Sequence, residues 1–209
     1  MRIAFVDLIT DFCRNIQIVH MEQYFADQVY ENVDYTARPL PIGEYESCAF
    51  NNCNFAAVSL KAASFIDCTF SHCNISNSLL VETSIRDVQF NHCKMLGLRF
   101  DTCNNFLFSA TFVHCTLNFS SFYKLKIKKT KFQDCIIQEV DFSETDLSEA
   151  VFERCDLKDA TFDNTILEKA DFITSFNYRI NPDINKIRKA KFSRDGLAGL
   201  LTKYDLQIK

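Results

Sequence analysis

The chain has no tryptophan, three prolines and only four glycines in 209 residues. So few glycines leave no glycine-rich phosphate loop and no nucleophile elbow, and four histidines among scattered carboxylates give no convergent acid–base pair. No catalytic residue and no cofactor-binding residue is assigned on this basis. No window comes near the roughly 18 consecutive apolar residues of a membrane span. The opening MRIAFVDLITDF is interrupted by Asp7 and Asp11 and carries no small-residue cleavage site, so the chain reads as soluble, unsecreted and without membrane contact.

Against these scarcities stand 21 phenylalanines and ten cysteines. Disulfide frameworks belong mostly to secreted chains below about 100 residues, so thiols kept reduced in a cytoplasmic protein are the expectation. The stretch FIDCTFSHCNI (65–75) poses the question directly, because Cys68 and Cys73, with His72 next to the latter, resemble part of a metal site. Phe65, Phe70 and Ile75 in the same stretch are also five apart, a period that fits neither helix nor strand.

That period runs through most of the chain. Large apolar residues fall at every fifth position from Tyr45 to Phe100, then resume after a seven-residue step as Leu107, Phe112, Leu117 and so on to Phe172. A two-residue register break therefore lies near 104–106. Two residues before these centres small side chains dominate, and eight of the ten cysteines, all but Cys13 and Cys103, stand in that slot. One large and one small inward residue per five, separated by polar ones, describes a chain that turns a corner every five residues.

Units such as CDLKD (155–159), ADFIT and TDLSE resemble the pentapeptide-repeat family. The resemblance covers about residues 45–175 and implies an all-β fold, a right-handed quadrilateral β-helix in which four pentapeptides make one square coil. Residues 20 apart should then share a side. One column reads Phe50, Phe70, Phe90, Phe112, Phe132, Phe152, Phe172 and Phe192, the step of 22 absorbing the insertion; the opposite column reads Leu60, Leu80, Phe100, Phe122, Phe142 and Phe162. Cys53, Cys73, Cys93, Cys115, Cys135 and Cys155 form an interior ladder by the same count, with Asn52, His72, His92, His114, Asp134 and Arg154 beside them. Inward thiols and outward imidazoles diverge, whereas zinc needs four convergent donors. The cysteines are expected to be packing residues, no metal is assigned, and an exposed His72–His92–His114 column is left as a loose metal or pH-sensing candidate.

Between Asp134 and Asp171 twelve Asp or Glu face three Lys or Arg, a local net of −9, whereas residues 44–100 hold five acids and four bases. Either this is a solvated repeat face whose Asp residues serve turn amides, or it is an acidic surface for a basic partner. Just upstream, KLKIKKTKF (124–132) holds five lysines; with an overall charge of −4 it reads as a solvated patch rather than a nucleic-acid site. After Phe172 the repeat loosens, and Leu197, Leu200, Leu201 and Tyr204 at i, i+3, i+4 and i+7 predict a short helix capped by Ser193.

The domain reading is thus an N-terminal cap or extension (1–44), the β-helix (45–176), and a last coil with a helical cap (177–209). Members of the family that protect topoisomerases resemble this chain, which implies an acidic rod that mimics DNA toward gyrase or topoisomerase IV, is linked to fluoroquinolone resistance and forms a homodimer through the terminal helix. On that reading Glu144, Glu149, Glu153, Asp159 and Asp163 would be the interaction face and Leu197, Leu200, Leu201 and Tyr204 the dimer contact. The alternative is a cytoplasmic scaffold with some other protein partner.

Overall fold

A computed structural model describes residues 23–207. The predicted right-handed quadrilateral β-helix is what the chain forms. Eleven short strands follow one another: β1 (Gln23–Ala26), β2 (Val29–Glu31), β3 (Gly43–Glu46), β4 (Ala49–Asn51), β5 (Ser64–Ile66), β6 (Thr69–Ser71), β7 (Ser84–Arg86), β8 (Val88–Asn91), β9 (Ala110–Val113), β10 (Lys131–Gln133) and β11 (Val151–Glu153). All pair in parallel. One sheet has the order β1-β3-β5-β7 and the other β2-β4-β6-β8-β9-β10-β11. The remaining two sides of the square are held by isolated parallel bridges such as Asn54↔Asn74 and Ser121↔Asp141. The offset is 20 residues, as in Phe50↔Phe70, and 22 across the insertion, as in Phe90↔Phe112.

Corners explain the five-residue period. The residue two after most centres has a left-handed backbone, φ 53° at Asn52, 54° at His72 and 55° at Glu144, which rotates the chain onto the next side. Such a conformation is uncommon for side chains other than Asn, Asp and Gly. Here it recurs in every coil because the inter-coil ladder holds it. The residue before the centre often supports the turn: Asp141, Asp146, Asp156 and Asp171 each accept a hydrogen bond from the amide two residues on, at 2.8, 3.1, 3.2 and 3.1 Å.

The Phe column is the spine. Rings stack from Phe50 to Phe192 with centroid separations between 4.7 and 5.4 Å, for example Phe50–Phe70 at 4.7 Å and Phe112–Phe132 at 5.0 Å. Rings of the opposite column meet them edge-on, Phe112–Phe122 at 6.0 Å and 85°. Each buried ring is worth about 1.5–3 kcal/mol before entropy, and offset or edge-on pairing adds to it.

Three boundaries differ from the sequence reading. The solenoid begins a full coil earlier, since Gln23, Tyr24, Phe25 and Ala26 pair with Gly43, Glu44, Tyr45 and Glu46. Phe25, Tyr30, Tyr35 and Leu40 keep the period, but Gln23, Gln28 and Arg38 stand where the slot is otherwise small, and the pattern is hidden. The part of 1–44 that precedes residue 23 lies outside the described residues. Secondly, Leu107 is not a core centre. After a 3-10 turn at Phe100–Thr102 the extra chain is pushed outward, leaving Phe106 and Leu107 68% and 60% exposed, and Phe108 enters the core instead. Thirdly, the terminal segment is not an α-helix but two 3-10 helices, Asp195–Leu200 and Thr202–Tyr204. The N-cap position of the first is Arg194, which makes no side-chain cap bond, but Ser193 one residue earlier supports the turn, its Oγ accepting from the Gly196 amide at 3.0 Å.

Candidate functional site

The cysteine slot lies inside the rod. All nine described cysteines are buried free thiols. Each ladder thiol donates to the carbonyl of the large residue one coil below: Cys73 to Phe50 at 3.2 Å, Cys93 to Phe70 at 3.4 Å and Cys115 to Phe90 at 3.3 Å. Ser78, Thr83, Thr145 and Thr165 make the same bond with hydroxyls, at 2.7 to 2.9 Å. Where the slot holds Cys, Ser or Thr the side chain thus also donates to the coil below, a role the sequence reading missed, while Ala63, Ala150 and Ala160 fill the slot by size alone. Burial pushes the Cys68 thiol up to about 11 and the Cys103 thiol higher still. Thiolate chemistry is disfavoured there.

The histidines beside the ladder point outward from one corner. His72 and His92 stack at 4.8 Å and 7°, His92 and His114 at 4.6 Å and 14°. An imidazole nitrogen binds metal in the plane of its ring. Three parallel planes direct their lone pairs side by side rather than to one point. Among the described residues no group of three or more His, Cys, Asp or Glu converges on a cation position. The column continues into charge: His114 Nε2 lies 3.8 Å from Asp134, which receives a bidentate pair from Arg154 at 2.6 and 2.7 Å.

Arg154 holds the Asp134 carboxyl down to about 2, below the usual value near 3.9. A carboxylate depressed in the folded state adds stability that is complete above the unfolded value and is lost as pH falls through the folded one. The melting temperature is therefore expected to fall between about pH 4 and pH 2, and Asp134→Asn should flatten that part of the profile. An unchanged slope in the variant would remove the pair from the account.

The structure does not bring the five predicted carboxylates onto one face. Glu144 and Asp163 follow the Phe142 and Phe162 side, Glu149 the Leu147 side, Glu153 the Phe152 side and Asp159 the Leu157 side, so they are distributed over all four sides of the rod. Four of the five are also paired. Lys124 lies 3.5 Å from Glu144, Lys169 3.0 Å from Glu149, Lys131 3.4 Å from Glu153 and Arg179 3.9 Å from Asp159. Lys128–Asp146 at 3.2 Å and Lys191–Asp171 at 3.0 Å continue the pattern. The lysine run 124–131 therefore lies one coil below the first part of the acidic run and pairs with Glu144, Asp146, Glu149 and Glu153. Among the described residues five acids of the run, Glu139, Asp141, Asp156, Asp163 and Glu168, have no cation within ion-pair distance, and of these Asp141 and Asp156 accept turn amides instead.

The sequence matches the model of the pentapeptide repeat region over residues 44–105 and 105–175. The chain belongs to the pentapeptide-repeat family. Among solved structures it is similar to HetL, a pentapeptide repeat protein involved in heterocyst differentiation regulation from the cyanobacterium Nostoc sp. strain PCC 7120, at 12% identity and a TM-score of 0.57 over 88% of this chain and 93% of that one. Full-length QnrB1, a plasmid-mediated fluoroquinolone resistance protein, matches at 15% identity and a TM-score of 0.47 over 88% of this chain and all of that one. At such identities the likeness shows the fold alone. No curated protein matches the chain.

The end of this pentapeptide-repeat rod divides the four terminal residues of the predicted dimer stripe. Leu200 packs against the core and Leu201 is half-buried, while Leu197 and Tyr204 are 47% and 54% exposed. The 3-10 segment lies close over Tyr178: a Cβ on Gly199 would sit 2.2 Å from the Tyr178 carbonyl oxygen, and the Gly199 carbonyl accepts from the Ile180 amide at 3.0 Å. Tyr178 in turn packs on Phe172 and Phe192 at 5.7 and 5.6 Å. The segment's first task is thus to close the last coil. No helix among the described residues is long and apolar enough to cross a membrane.

Proposed function

We propose that this pentapeptide-repeat protein is a non-enzymatic scaffold that presents the sides of a rigid rod to a protein partner. The observation that carries this reading is the pairing of neighbouring coils on every side: seven of the twelve acids between Asp134 and Asp171 are held in ion pairs that cross-link the coils rather than adding to a one-sign field. A rod built this way offers shape and ladders of regularly spaced side chains. The interior supports the reading too, since the cavity among Phe65, Phe70, Phe90 and Phe100 is only about 20 Å³, too small for a substrate; the larger clefts, about 300–340 Å³, lie outside the inward columns at the C-terminal coil, beside Asp159, Tyr178 and Arg179.

The topoisomerase reading is the second one. Its support is family membership and the three carboxylates, Glu139, Asp163 and Glu168, that meet neither a described cation nor a turn amide. A mimic of duplex DNA would need a longer row of free negative charge on one side. The test is gyrase supercoiling and fluoroquinolone-stabilised cleavage, titrated with the purified protein and with a variant carrying Glu139→Gln, Asp163→Asn and Glu168→Gln. On the scaffold reading both assays stay unchanged at micromolar protein. Inhibition by the wild type that disappears in the variant would overturn it in favour of the DNA mimic.

A further inference from the structure

The C-terminal cap closes the last coil on two of its four sides. Gly196 and Gly199 lie close over Tyr178, the Gly199 carbonyl accepts from the Ile180 amide, and Lys203 pairs with Asp183. These contacts fall on the sides that follow Leu157 and Phe162. The sides that follow Leu167 and Phe172 end in the stretch 185–194. One coil below, the Leu167, Lys169 and Phe172 amides donate to the carbonyls of Lys186, Arg188 and Lys191 at 2.8, 2.9 and 2.9 Å. The Thr165 and Ala170 carbonyls accept from the Lys186 and Lys191 amides at 3.0 and 2.8 Å. The matching groups of the last coil, the Ile187, Lys189 and Phe192 amides and the Asn185 and Ala190 carbonyls, have no such partner among the described residues. Leu167 and Phe172 are fully buried, but Ile187 and Phe192 above them are only partly so. An edge of this kind is a template for pairing.

Charge marks the same half of the end. Lys186, Arg188, Lys189 and Arg194 are exposed, and among the described residues none has an acid within ion-pair distance. Within the rod such cations meet acids 20 residues away, as in Arg154–Asp134, Lys169–Glu149 and Lys191–Asp171. We propose that this half-open end docks an extended acidic segment of another protein, which adds as one further parallel rung over residues 186–192. Its main chain supplies the missing acceptors and donors, as in strand addition to a sheet edge. The five-residue frame fixes its side chains: apolar over Ile187 and Phe192, and carboxylates over Lys186 and Arg188. Over Lys189, whose φ is 59°, it carries an Asp, which tolerates the left-handed corner and pairs with the ammonium. A nucleic-acid backbone would meet the cations but has no amides for the Asn185 and Ala190 carbonyls. The same end of a second copy brings the same four cations and is repelled. This contact lies at the end of the rod, beyond the role proposed for its sides, and stands whatever they bind.

The test is an NMR titration of the full chain with the end-blocked octapeptide Glu-Phe-Glu-Asp-Ala-Glu-Phe-Ser, which follows that frame. Saturable shifts confined to 185–194 are expected, with slowed exchange of the Ile187, Lys189 and Phe192 amides and unchanged β11 amides. A Lys186→Glu/Arg188→Glu variant should bind about tenfold more weakly or worse, and a peptide with lysine in place of its first two glutamates should recover binding to that variant. Four results would overturn the proposal: no shifts at 185–194, equal binding of a scrambled peptide, which would leave charge alone, equal binding of a single-stranded oligonucleotide, or shifts of these amides with protein concentration in the absence of peptide, which would put a second copy on this end.

Discussion

Phe112→Ala is expected to cost about 3–5 kcal/mol. Phe112 is fully buried and lies between Phe90 at 5.4 Å and Phe132 at 5.0 Å, nearly parallel to both. Phe100 and Phe122 meet it edge-on at 5.8 and 6.0 Å. Alanine would leave a void walled by four rings, each held by its own coil and unable to close the gap. A solenoid is coupled only through neighbouring coils, so a defect in the middle also weakens the link between its two halves. Urea unfolding should show a lower midpoint, and a second transition if the halves separate. His92 is the control. It is exposed at a corner and its ring is stacked between two others outside the core, so His92→Ala should stay within about 0.5 kcal/mol of wild type. Equal effects of the two substitutions would show that the Phe column is not the spine.

The fold was legible because its rule is geometric. Side chains 20 apart share a side, and the Phe column and the cysteine ladder follow from counting alone. The same count applied to charge also finds the ion pairs: Lys124 and Glu144, Lys129 and Glu149, Glu149 and Lys169, Asp134 and Arg154, Asp171 and Lys191 are each 20 apart. Read one-dimensionally, 124–131 and 134–171 are a basic and an acidic block. Wound into coils, they are partners. The first coil escaped notice because its slot residues are large, although Phe25, Tyr30, Tyr35 and Leu40 keep the period. Leu107 was misplaced because a period does not say which of two neighbouring apolar residues an insertion expels. At the C-terminus, i, i+3, i+4, i+7 spacing suits an α-helix, but the close approach of Gly196 and Gly199 to Tyr178 ties the segment to the last coil as 3-10 turns. The partner was not legible, since the repeat residues spend their chemistry on the coil.

Removing one residue, Ser148, should be more damaging than removing any one side chain outside the core. Leu147 and Phe152 are both inward, and the four residues between them supply the corner, with φ 61° at Glu149, and the inward Ala150. With three, either the corner or the alternation of the next side must fail, and a one-residue slip turns inward side chains outward. Phe152, at most 1% exposed, would lose its stack on Phe132, and the column that Phe172 continues would be cut there. At about 1.5–3 kcal/mol per buried ring or aliphatic side chain, the coils beyond Leu147 stand to lose on the order of 5 kcal/mol or more. Extra chain is different, because it can be expelled: the two residues inserted between Phe90 and Phe112 leave the register of both rings intact and surface as exposed Phe106 and Leu107. A chain without Phe106 and Leu107 should therefore melt at or above the wild-type temperature. The Ser148 deletion should melt well below it and yield a protease-resistant N-terminal fragment ending near residue 147. Wild-type melting of the Ser148 deletion would mean that the corners, not the inward columns, set the register.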